Sequence, residues 1–328
     1  MSVQALYQQK LMSASDAIHV VKDGDTIVVP TGVGEPPALL TALSDVRRKY
    51  RDVKISQILP LRKYGYIDPE TQENIRHVAY FFGGATRPGG QEGWIDYVPA
   101  YFSELPMLIE RGLSPSEVVF SMASPMDEYG YFSLSLAADY TMAALKKARA
   151  IVLEVNPNVP FANGNCHLHI SEVAALTESN DPLLEVGLPK IGPVQEAIGG
   201  YVAEMIPNGA TLQIGYGGIP DAVVMQLTNK HDLGVHTEMV GDGIMTLVEA
   251  GVVNNRKKNF LPGKMVATFA LGSNKLYRFM HRNPALEMHP VEFTNDPYIA
   301  GQNDNLHCIN ATMQIDFMGQ CGSESLGS

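Results

Sequence analysis

The chain has 328 residues and a formal net charge of −11 at pH 7, and its length predicts about two domains at the usual ~150 residues each. Its hydrophobic content of 45% and charged content of 18% are ordinary for a globular protein with a large core. The acidic balance disfavours nucleic acid as the main partner, because phosphate binding depends on clustered lysine and arginine. The negative charge does not exclude a phosphorylated small molecule as a ligand, since backbone amides can bind an anion within an acidic protein.

Cysteine content and hydropathy bear on the compartment. Cys166, Cys308 and Cys321 are too few and too widely spaced for a disulfide framework or a CxxC site. The N-terminal stretch has no apolar core of the signal-peptide type, and no apolar run approaches the ~18 residues that span a bilayer. We therefore expect a cytoplasmic protein without a membrane partner.

Short β-branched runs alternate with helical patterns along the chain. The run "DTIVVPTG" precedes the helical "PPALLTALSDVRRKY", the helical "AADYTMAALKKA" precedes "RAIVLEVN", and "ATLQIGYG" precedes "PDAVVMQLTNKH". This rhythm is typical of parallel sheets with crossover helices. The sequence therefore predicts an α/β fold.

One segment of the first half recurs in the second half. Residues 24–43 and 209–227 each contain a turn, a strand, a glycine-rich corner and a helix begun near proline. We interpret the recurrence as two related open α/β domains, residues 1–188 and 189–328; chance similarity of two strand–glycine–helix units is the alternative. The matches are Gly24 with Gly209, Thr26 with Thr211, Gly32 with Gly217 and, after a one-residue gap, Pro36 with Pro220, Ala38 with Ala222 and Leu43 with Leu227.

The corner of the second copy, "QIGYGGIPD", lies between a predicted strand and a predicted helix. Its glycines allow close approach of a ligand, and the helix N-terminus offers free N–H groups to an anion. The spacing of Gly215 and Gly217 imitates a dinucleotide fingerprint, and Glu238 stands roughly where a ribose-binding acid would fall. Pro220 replaces the third glycine, however. A nicotinamide enzyme and a purely structural turn both remain open at this point.

Glu238 follows a strand-like run in "LGVHTEMVGDGIM". In open α/β sheets ligands bind beyond the carboxyl ends of strands, so Glu238 and the glycine corner are expected at the ends of consecutive strands. Asp242 is expected to cap the helix that starts around Gly243. A solvated turn residue is the plain alternative for Glu238.

Two other groups of side chains are weaker candidates. Cys166, His167 and His169 hint at a metal, but no fourth ligand has recognisable spacing, so no metal site is predicted. Glu35, in the glycine-rich corner of the first half, could be catalytic, although contact with the corner backbone or with solvent is the preferred interpretation.

Several stretches together resemble the acetyl-CoA hydrolase/transferase family, and within it the 4-hydroxybutyrate and butyryl CoA-transferases. They are "VHTEMVGDG", "GYGGIPDAV", "SPMDEYGYFSLS", "EVNPNVP" and "NATMQIDFMGQ". The resemblance implies two CoA-transferase-type α/β domains and a nucleophilic glutamate at Glu238. It also implies that CoA contacts a glycine corner formed by Gln213, Ile214, Gly215, Tyr216 and Gly217.

The resemblance further implies ping-pong transfer of CoA between a short-chain acyl-CoA and a carboxylic acid through a glutamyl-CoA thioester. A glutamate of ordinary pKa, ~4.3, is ionised at neutral pH and needs no base. CoA would be a substrate, with no permanently bound cofactor. An acyl-CoA hydrolase on the same site and a non-catalytic CoA-binding protein are the rival functions.

Family members continue beyond the point at which this sequence stops, "GQCGSESLGS", with a glycine-rich segment that also contacts CoA. From the resemblance we expect the second domain to be truncated at its C-terminus and its CoA pocket to be in doubt. We also expect a homo-oligomer, since two-domain enzymes of this kind usually associate symmetrically.

Overall fold

A computed structural model describes residues 2–187 and 190–323. Its helices are α1 (Val3–Lys10), α2 (Ala14–Ala17), α3 (Pro37–Asp45), α4 (Arg87–Gln91), α5 (Leu105–Glu110), α6 (Thr141–Lys147), α7 (Pro193–Met205), α8 (Gly218–Met225), α9 (Asp242–Glu249), α10 (Asn274–Met280), α11 (Val291–Thr294) and α12 (Pro297–Ala300).

The strands of the first half are β1 (Thr26–Val28), β2 (Val53–Gln57), β3 (Ile75–Ala79), β4 (Asp96–Tyr97), β5 (Val118–Ala123), β6 (Tyr131–Ser133), β7 (Ala150–Val155), β8 (Asn163–Gly164), β9 (His167–His169) and β10 (Ala175–Glu178). Those of the second half are β11 (Thr211–Ile214), β12 (Gly234–Val235), β13 (Met239–Val240), β14 (Met265–Ala267), β15 (Phe269–Ala270), β16 (Leu286–Met288), β17 (Leu306–Ile309), β18 (Gln314–Ile315) and β19 (Cys321–Gly322).

The first half forms a parallel sheet of seven strands in the order β10-β7-β5-β1-β2-β3-β4. Every residue of β5 and β7 is buried, as expected for central strands covered on both faces. From β1 the chain builds outward through β2 to β4 and then returns to β5 on the other side. The topological switch point therefore lies between β1 and β5.

Helix α3 shows how the crossover helices are fixed to this sheet. Its apolar residues Leu39, Leu40 and Leu43 are fully buried. The N–H groups of Ala38 and Leu39 donate to the Glu154 carboxylate at the end of β7, at 2.7 and 3.3 Å. A carboxylate from a distant strand thus supplies the partner that a helix N-terminus lacks.

The second half builds another parallel sheet around β11, which pairs with β12 on one side and β17 on the other. A bridge between His236 and Val266 joins β12 to β14, and β14 continues through β16 to β8, a strand of the first half. Its switch point lies between β11 and β17. Beyond the bridge, the short strands β13 and β15 pair in parallel.

The two halves share one hydrophobic core. A single cluster contains Val119 and Tyr140 of the first half together with Val240 and Leu276 of the second, whereas a second cluster packs α3 against the other face of the first sheet. The predicted α/β fold with parallel sheets is confirmed. Each member of the recurrent segment also starts with a positive-φ glycine, Gly24 or Gly209, before its strand.

Candidate active site

Glu238 lies at an interruption between β12 and β13, where the parallel strands of the second sheet end. Its carbonyl oxygen accepts hydrogen bonds from the N–H groups of Thr268 and Phe269, at 2.9 and 3.2 Å. Thr268 stands at the corresponding interruption between β14 and β15, and Phe269 is the first residue of β15. The backbone of Glu238 is therefore fixed by a neighbouring strand, while its side chain is half-buried.

The two carboxylate oxygens of Glu238 have different surroundings. Oε2 accepts a hydrogen bond from Asn295 Nδ2 at 2.5 Å. Within residues 2–187 and 190–323 no donor reaches Oε1, which is not sealed from solvent. Burial raises the pKa of Glu238 above its ordinary value, and the hydrogen bond from Asn295 partly opposes that rise. One oxygen is held, and the other has no donor among the described residues.

Asn295 was not identified from the sequence. It directly follows α11, and its own N–H donates to Val291 O at 2.9 Å. His236 Nε2 lies 2.8 Å from the carbonyl of Thr294 at the end of the same helix. An asparagine before Asp-Pro is an ordinary turn residue, and the 57 positions that separate it from Glu238 carry no motif. Only the tertiary fold brings the pair together.

The first half contributes to this site through residues 136–139. Ala137 pairs with Phe269, and the N–H groups of Ala138 and Asp139 point at Thr268 O at 3.0 and 3.4 Å. The carbonyl of Asp139 in turn accepts from Val291 N at the start of α11, at 3.2 Å. One segment of the first half therefore supports both elements that hold Glu238.

The predicted glycine corner, residues 213–217, lies where β11 ends at the switch point of the second sheet. Gly215 N donates to Ile309 O at 2.8 Å, and a Cβ on Gly215 would lie 2.6 Å from Asn310 Oδ1. Gly217 has a φ of +132°, a conformation that disfavours residues with a side chain. The backbone at position 217 thus favours glycine, and a side chain at position 215 would displace that of Asn310.

Not all of this corner is available to a ligand. The side chain of Gln213 forms two hydrogen bonds with Asn310, at 3.1 and 2.8 Å, and Ile214 N donates to the Thr237 hydroxyl at 3.0 Å. Among the described residues the N–H groups of Tyr216 and Gly217 have no acceptor, and Tyr216 is 64% exposed. Tyr216 and Gly217 are therefore the corner residues with backbone donors free for an anion.

The expected relation between the corner and Glu238 is observed. β11 and β12 pair in parallel with Leu212 opposite Val235, so both segments leave the sheet at the same edge. Thr237, the residue before Glu238, holds the backbone of Ile214 with its hydroxyl. The corner is thus in direct contact with the residue that precedes Glu238.

The predicted role of Asp242 is wrong. Asp242 is the first residue of α9, and Gly241 occupies the cap position without a side-chain cap. The Asp242 carboxylate instead accepts from the N–H and hydroxyl of Ser273, at 2.9 and 2.5 Å. Ser273 caps α10. Asp242 therefore connects α9 to α10. Local sequence could not predict this contact, because Ser273 comes close to Asp242 only in the tertiary fold.

Glu35 is fully buried and does not contact solvent, which was one of its two expected environments. Its carboxylate accepts from Gln57 Nε2 and Leu61 N at 3.2 Å and from the Tyr64 hydroxyl at 3.3 Å, and it pairs with Arg62 at 3.4 Å. Burial raises its pKa to about 7, against the effect of these donors. Glu35 thus holds the loop that follows β2.

The Cys-His-His group is engaged in local contacts. Cys166 is buried, and burial raises the pKa of its thiol to about 12. His167 Nε2 lies 2.9 Å from Ala162 O, and His169 Nδ1 accepts from Ser171 N. In the part of the chain that the structure describes, no three His, Cys, Asp or Glu side chains are arranged to hold a metal ion.

A surface cavity of 520 Å³ lies at a different place, near the β7–β10 edge of the first sheet. It is lined by Tyr7 and Glu178, whose side chains are joined by a hydrogen bond of 2.6 Å. None of the predicted site residues lines this cavity.

Comparison with protein families gives two matches. The acetyl-CoA hydrolase/transferase N-terminal domain matches residues 1–186, and the C-terminal domain of the same family matches residues 272–328. The chain belongs to the acetyl-CoA hydrolase/transferase family. The resemblance inferred from the sequence is thereby confirmed.

Individual members of the acetyl-CoA hydrolase/transferase family are similar along nearly the whole chain. The succinyl-CoA:cyclohexane-1-carboxylate CoA transferase of Geobacter metallireducens is 46% identical over 99% of this chain and 74% of its own. The 4-hydroxybutyrate coenzyme A transferase of Clostridium kluyveri is 41% identical over 100% of this chain and 76% of its own. The chain thus spans about three quarters of the length of these relatives, which are CoA-transferases by name.

A solved structure shares the fold of this chain. The crystal structure of RipA from Yersinia pestis superimposes with a TM-score of 0.93 at 34% identity and covers 99% of this chain and 78% of that one. In the described ranges, 2–187 and 190–323, no helix is long and apolar enough to cross a membrane.

Proposed function

We propose that the protein transfers CoA between a short-chain acyl-CoA and a carboxylic acid of the 4-hydroxybutyrate, butyrate or acetate type, with Glu238 as the nucleophile. The observation that carries the proposal is the asymmetry of the Glu238 carboxylate. Oε2 is held by a neutral amide donor, Asn295, while no donor among the described residues reaches Oε1. A neutral donor fixes the carboxylate without cancelling its charge, so Oε1 stays nucleophilic.

The first half-reaction consists of two covalent exchanges. Glu238 Oε1 attacks the thioester carbonyl of the acyl-CoA, and the C–S bond breaks to release the CoA thiolate and leave a mixed anhydride. The thiolate then attacks Cδ of Glu238, and the acyl group departs as a carboxylate that takes Oε1 with it. A glutamyl-CoA thioester remains. The incoming carboxylate reverses these steps, which makes the kinetics ping-pong.

Asn295 is suited to the steps that occur at Cδ. When a thiolate or a carboxylate attacks Cδ, negative charge develops on Oε2, the oxygen to which Asn295 Nδ2 already donates. A donor that is in place before the charge develops stabilises the transition state without reorganisation. Asn295 thus serves first to orient the nucleophile and then to stabilise the oxyanion.

The glycine corner is proposed as part of the CoA site. It lies at the switch point of the second sheet, where ligands of open α/β sheets bind. Within the described part of the chain, the N–H groups of Tyr216 and Gly217 have no acceptor and could donate to an anionic or carbonyl oxygen. Contacts to the distant part of CoA can then supply binding energy for the reacting centre. CoA enters as a substrate and no bound cofactor is required.

Trapping of the covalent intermediate tests this function. The protein is incubated with an acyl-CoA in the absence of acceptor acid, quenched and digested. The peptide containing Glu238 should carry CoA, and borohydride should reduce the thioester carbonyl to an alcohol. Glu238→Gln should carry no label. The matched variant is Glu249→Gln, which changes a half-exposed glutamate of α9 that pairs with Lys275 of α10. This variant should be labelled like the parent.

The other outcomes are equally informative. CoA binding without any label on Glu238 would contradict the transferase and support a binding protein. A label that forms and decays within a turnover, with free acid as the product, would identify a hydrolase, because the site would then admit water.

We also propose that residues 1–188 and 189–328 form the two domains and that the protein is a homo-oligomer. Closed symmetric association is the common state of enzymes of this size. Analytical ultracentrifugation at micromolar concentration measures it directly. A sedimentation mass equal to that of one chain would contradict the proposed association.

A further inference from the structure

His236 lies two positions before Glu238, and no step described above uses its side chain. The residue is 1% exposed. Its N–H group donates to Leu212 O at 3.0 Å, and it forms the bridge to Val266. Its ring nitrogen Nε2 lies 2.8 Å from the carbonyl oxygen of Thr294. Because a carbonyl oxygen can only accept, Nε2 carries the proton and donates.

This hydrogen bond holds the end of α11 that carries Asn295. The helix is a single turn of four residues whose last residue is Thr294, and the final carbonyls of a helix have no partner within it. Asn295 follows at once and donates to Glu238 Oε2 at 2.5 Å. The His236 ring therefore connects the strand that leads to Glu238 with the residue that precedes Asn295.

The other contacts of α11 fix its start and its middle. Val291 N donates to Asp139 O at 3.2 Å. The ring of Phe293 stacks on that of His289 at a centroid distance of 4.4 Å. Among the described residues no donor other than His236 reaches the carbonyl of Thr294. The position of the final turn, and of the amide that follows it, thus depends on the histidine.

The surroundings of His236 keep its ring neutral. Burial lowers its pKa to about 4, and the charges of Lys258 and His289 act in the same direction, against the hydrogen bond to Thr294. The carboxylate of Glu287 lies 3.1 Å from Nε2 of His289. Among the described residues Nδ1 of His236 has no partner, so a second proton there would be a buried donor without an acceptor. His236 is consequently a neutral donor at working pH.

We propose that His236 is a positioning residue, which places the Asn295 amide on Glu238 Oε2 by holding the last carbonyl of α11. The proposal rests on the proposed transferase function. His236 acts through Asn295 and takes no part in bond making. Its importance follows from geometry, because a misplacement of about 1 Å in a catalytic group can cost ~10²-fold in rate.

Two amide variants of His236 differ only in the reach of their donor. His236→Gln keeps a neutral N–H group near the place of Nε2, whereas His236→Asn is one methylene shorter and cannot reach Thr294 O. Transferase kcat should fall by about 10–100-fold in His236→Asn and stay within about 3-fold of the parent in His236→Gln, which retains the hydrogen bond. His231→Asn, at a side chain that is 67% exposed, should leave kcat unchanged. Equal losses in both His236 variants would overturn the proposal.

The pH profile separates positioning from a general role in folding. The hydrogen bond from Asn295 lowers the pKa of Glu238, against the effect of burial. His236→Asn weakens that bond and should therefore move the acid limb of kcat/KM to higher pH, while His236→Gln should leave it in place. A protein that is merely less stable loses activity without such a shift. An unmoved acid limb in His236→Asn would overturn the proposal.

A double-mutant cycle tests whether His236 acts through Asn295. Residues that act as one unit give non-additive losses. In the Asn295→Ala background, His236→Asn should therefore lower kcat by less than about 3-fold. The full loss of the single variant in this background would show that His236 acts by another route and would overturn the proposal.

Failure of this proposal and failure of the transferase function are distinguishable. If the parent forms its CoA adduct on Glu238 but the His236 variants do not behave as stated, only the positioning role is wrong. If the parent forms no adduct, the transferase function fails and the positioning role fails with it. Urea unfolding is measured for each variant, and loss of the fold in both His236 variants would assign the residue to folding and overturn the proposal.

Discussion

The Thr237 hydroxyl lies 3.0 Å from both the nitrogen and the oxygen of Ile214, so it accepts from the N–H group and donates to the carbonyl of one residue. Both residues are buried. The contact joins the end of β11 to the residue that precedes Glu238. A side chain next to the proposed nucleophile thereby fixes the backbone that leads into the glycine corner.

Replacement of Thr237 by valine should weaken the connection between the end of β11 and the segment that carries Glu238. Thr237→Val keeps the shape but leaves the buried N–H and carbonyl of Ile214 without their partner, which costs about 1–3 kcal/mol. We expect a lower free energy of unfolding in urea and a higher KM for acyl-CoA. Thr237→Ser retains the hydroxyl and should restore most of both values. A Val variant with parental KM would show that the contact does not position the corner.

Loss of the Glu238 charge should remove the covalent route. Glu238→Gln keeps the size of the side chain, and we expect transferase turnover to fall by at least ~10³, as for the loss of other nucleophiles. Glu249→Gln serves as the control. Retention of more than about a tenth of the activity, with deamidation excluded by mass spectrometry, would rule out Glu238 as the nucleophile.

The hydrogen bond from Asn295 should be visible in the pH profile. Burial raises the pKa of Glu238 and the Asn295 donor lowers it, so Asn295→Ala should raise it further. The carboxylate must be ionised to attack; the acid limb of kcat/KM should therefore move to higher pH in the variant.

The same substitution should reduce kcat by about 10²–10³, the usual effect of removing one oxyanion donor. Asn254→Ala, which removes an amide bonded to Asp232 on the surface, is the control. An unshifted acid limb would show that Asn295 does not influence ionisation of the nucleophile.

Glu35 should make stability depend on pH. Its pKa is raised by burial from 4.5 to about 7, so the folded state binds a proton that the unfolded state releases between these values. The free energy of unfolding should consequently fall as pH rises through this window, by roughly 3 kcal/mol at most, and become flat above it.

Glu35→Gln removes that proton uptake. The unfolding free energy of the parent minus that of the variant should therefore decrease from pH 4.5 to pH 7.5. Urea unfolding at each pH measures both values. Glu70→Gln, at a side chain that is 81% exposed, should show no such trend. A pH-independent difference for Glu35→Gln would contradict the shifted pKa.

Local sequence patterns were sufficient for the sheets and for the two segments of the proposed site. The run "RAIVLEVN" indicated the strand β7, and the recurrent turn–strand–glycine–helix segment located the corner that follows β11. The prediction that Glu238 and this corner share a sheet edge held for a topological reason. Consecutive parallel strands connected by a helix end at the same edge.

Long-range side-chain partners could not be predicted from the sequence. Asn295 and Ser273 reach Glu238 and Asp242 across 57 and 31 positions, and no local pattern distinguishes them from other turn and cap residues. Asp242 shows the consequence: an aspartate at a helix start is expected to cap that helix, but the Asp242 carboxylate instead accepts from Ser273, the cap residue of α10.

The sequence by itself thus determined the alternation of strands and helices, the glycines that the corner requires and the presence of an acid at a strand end, because these depend on local backbone conformation and periodicity. The tertiary structure decided which oxygen of Glu238 is held and, among the described residues, which N–H groups of the corner have no acceptor. Those properties depend on contacts between the two halves, whose geometry is set only when both sheets close over the shared core.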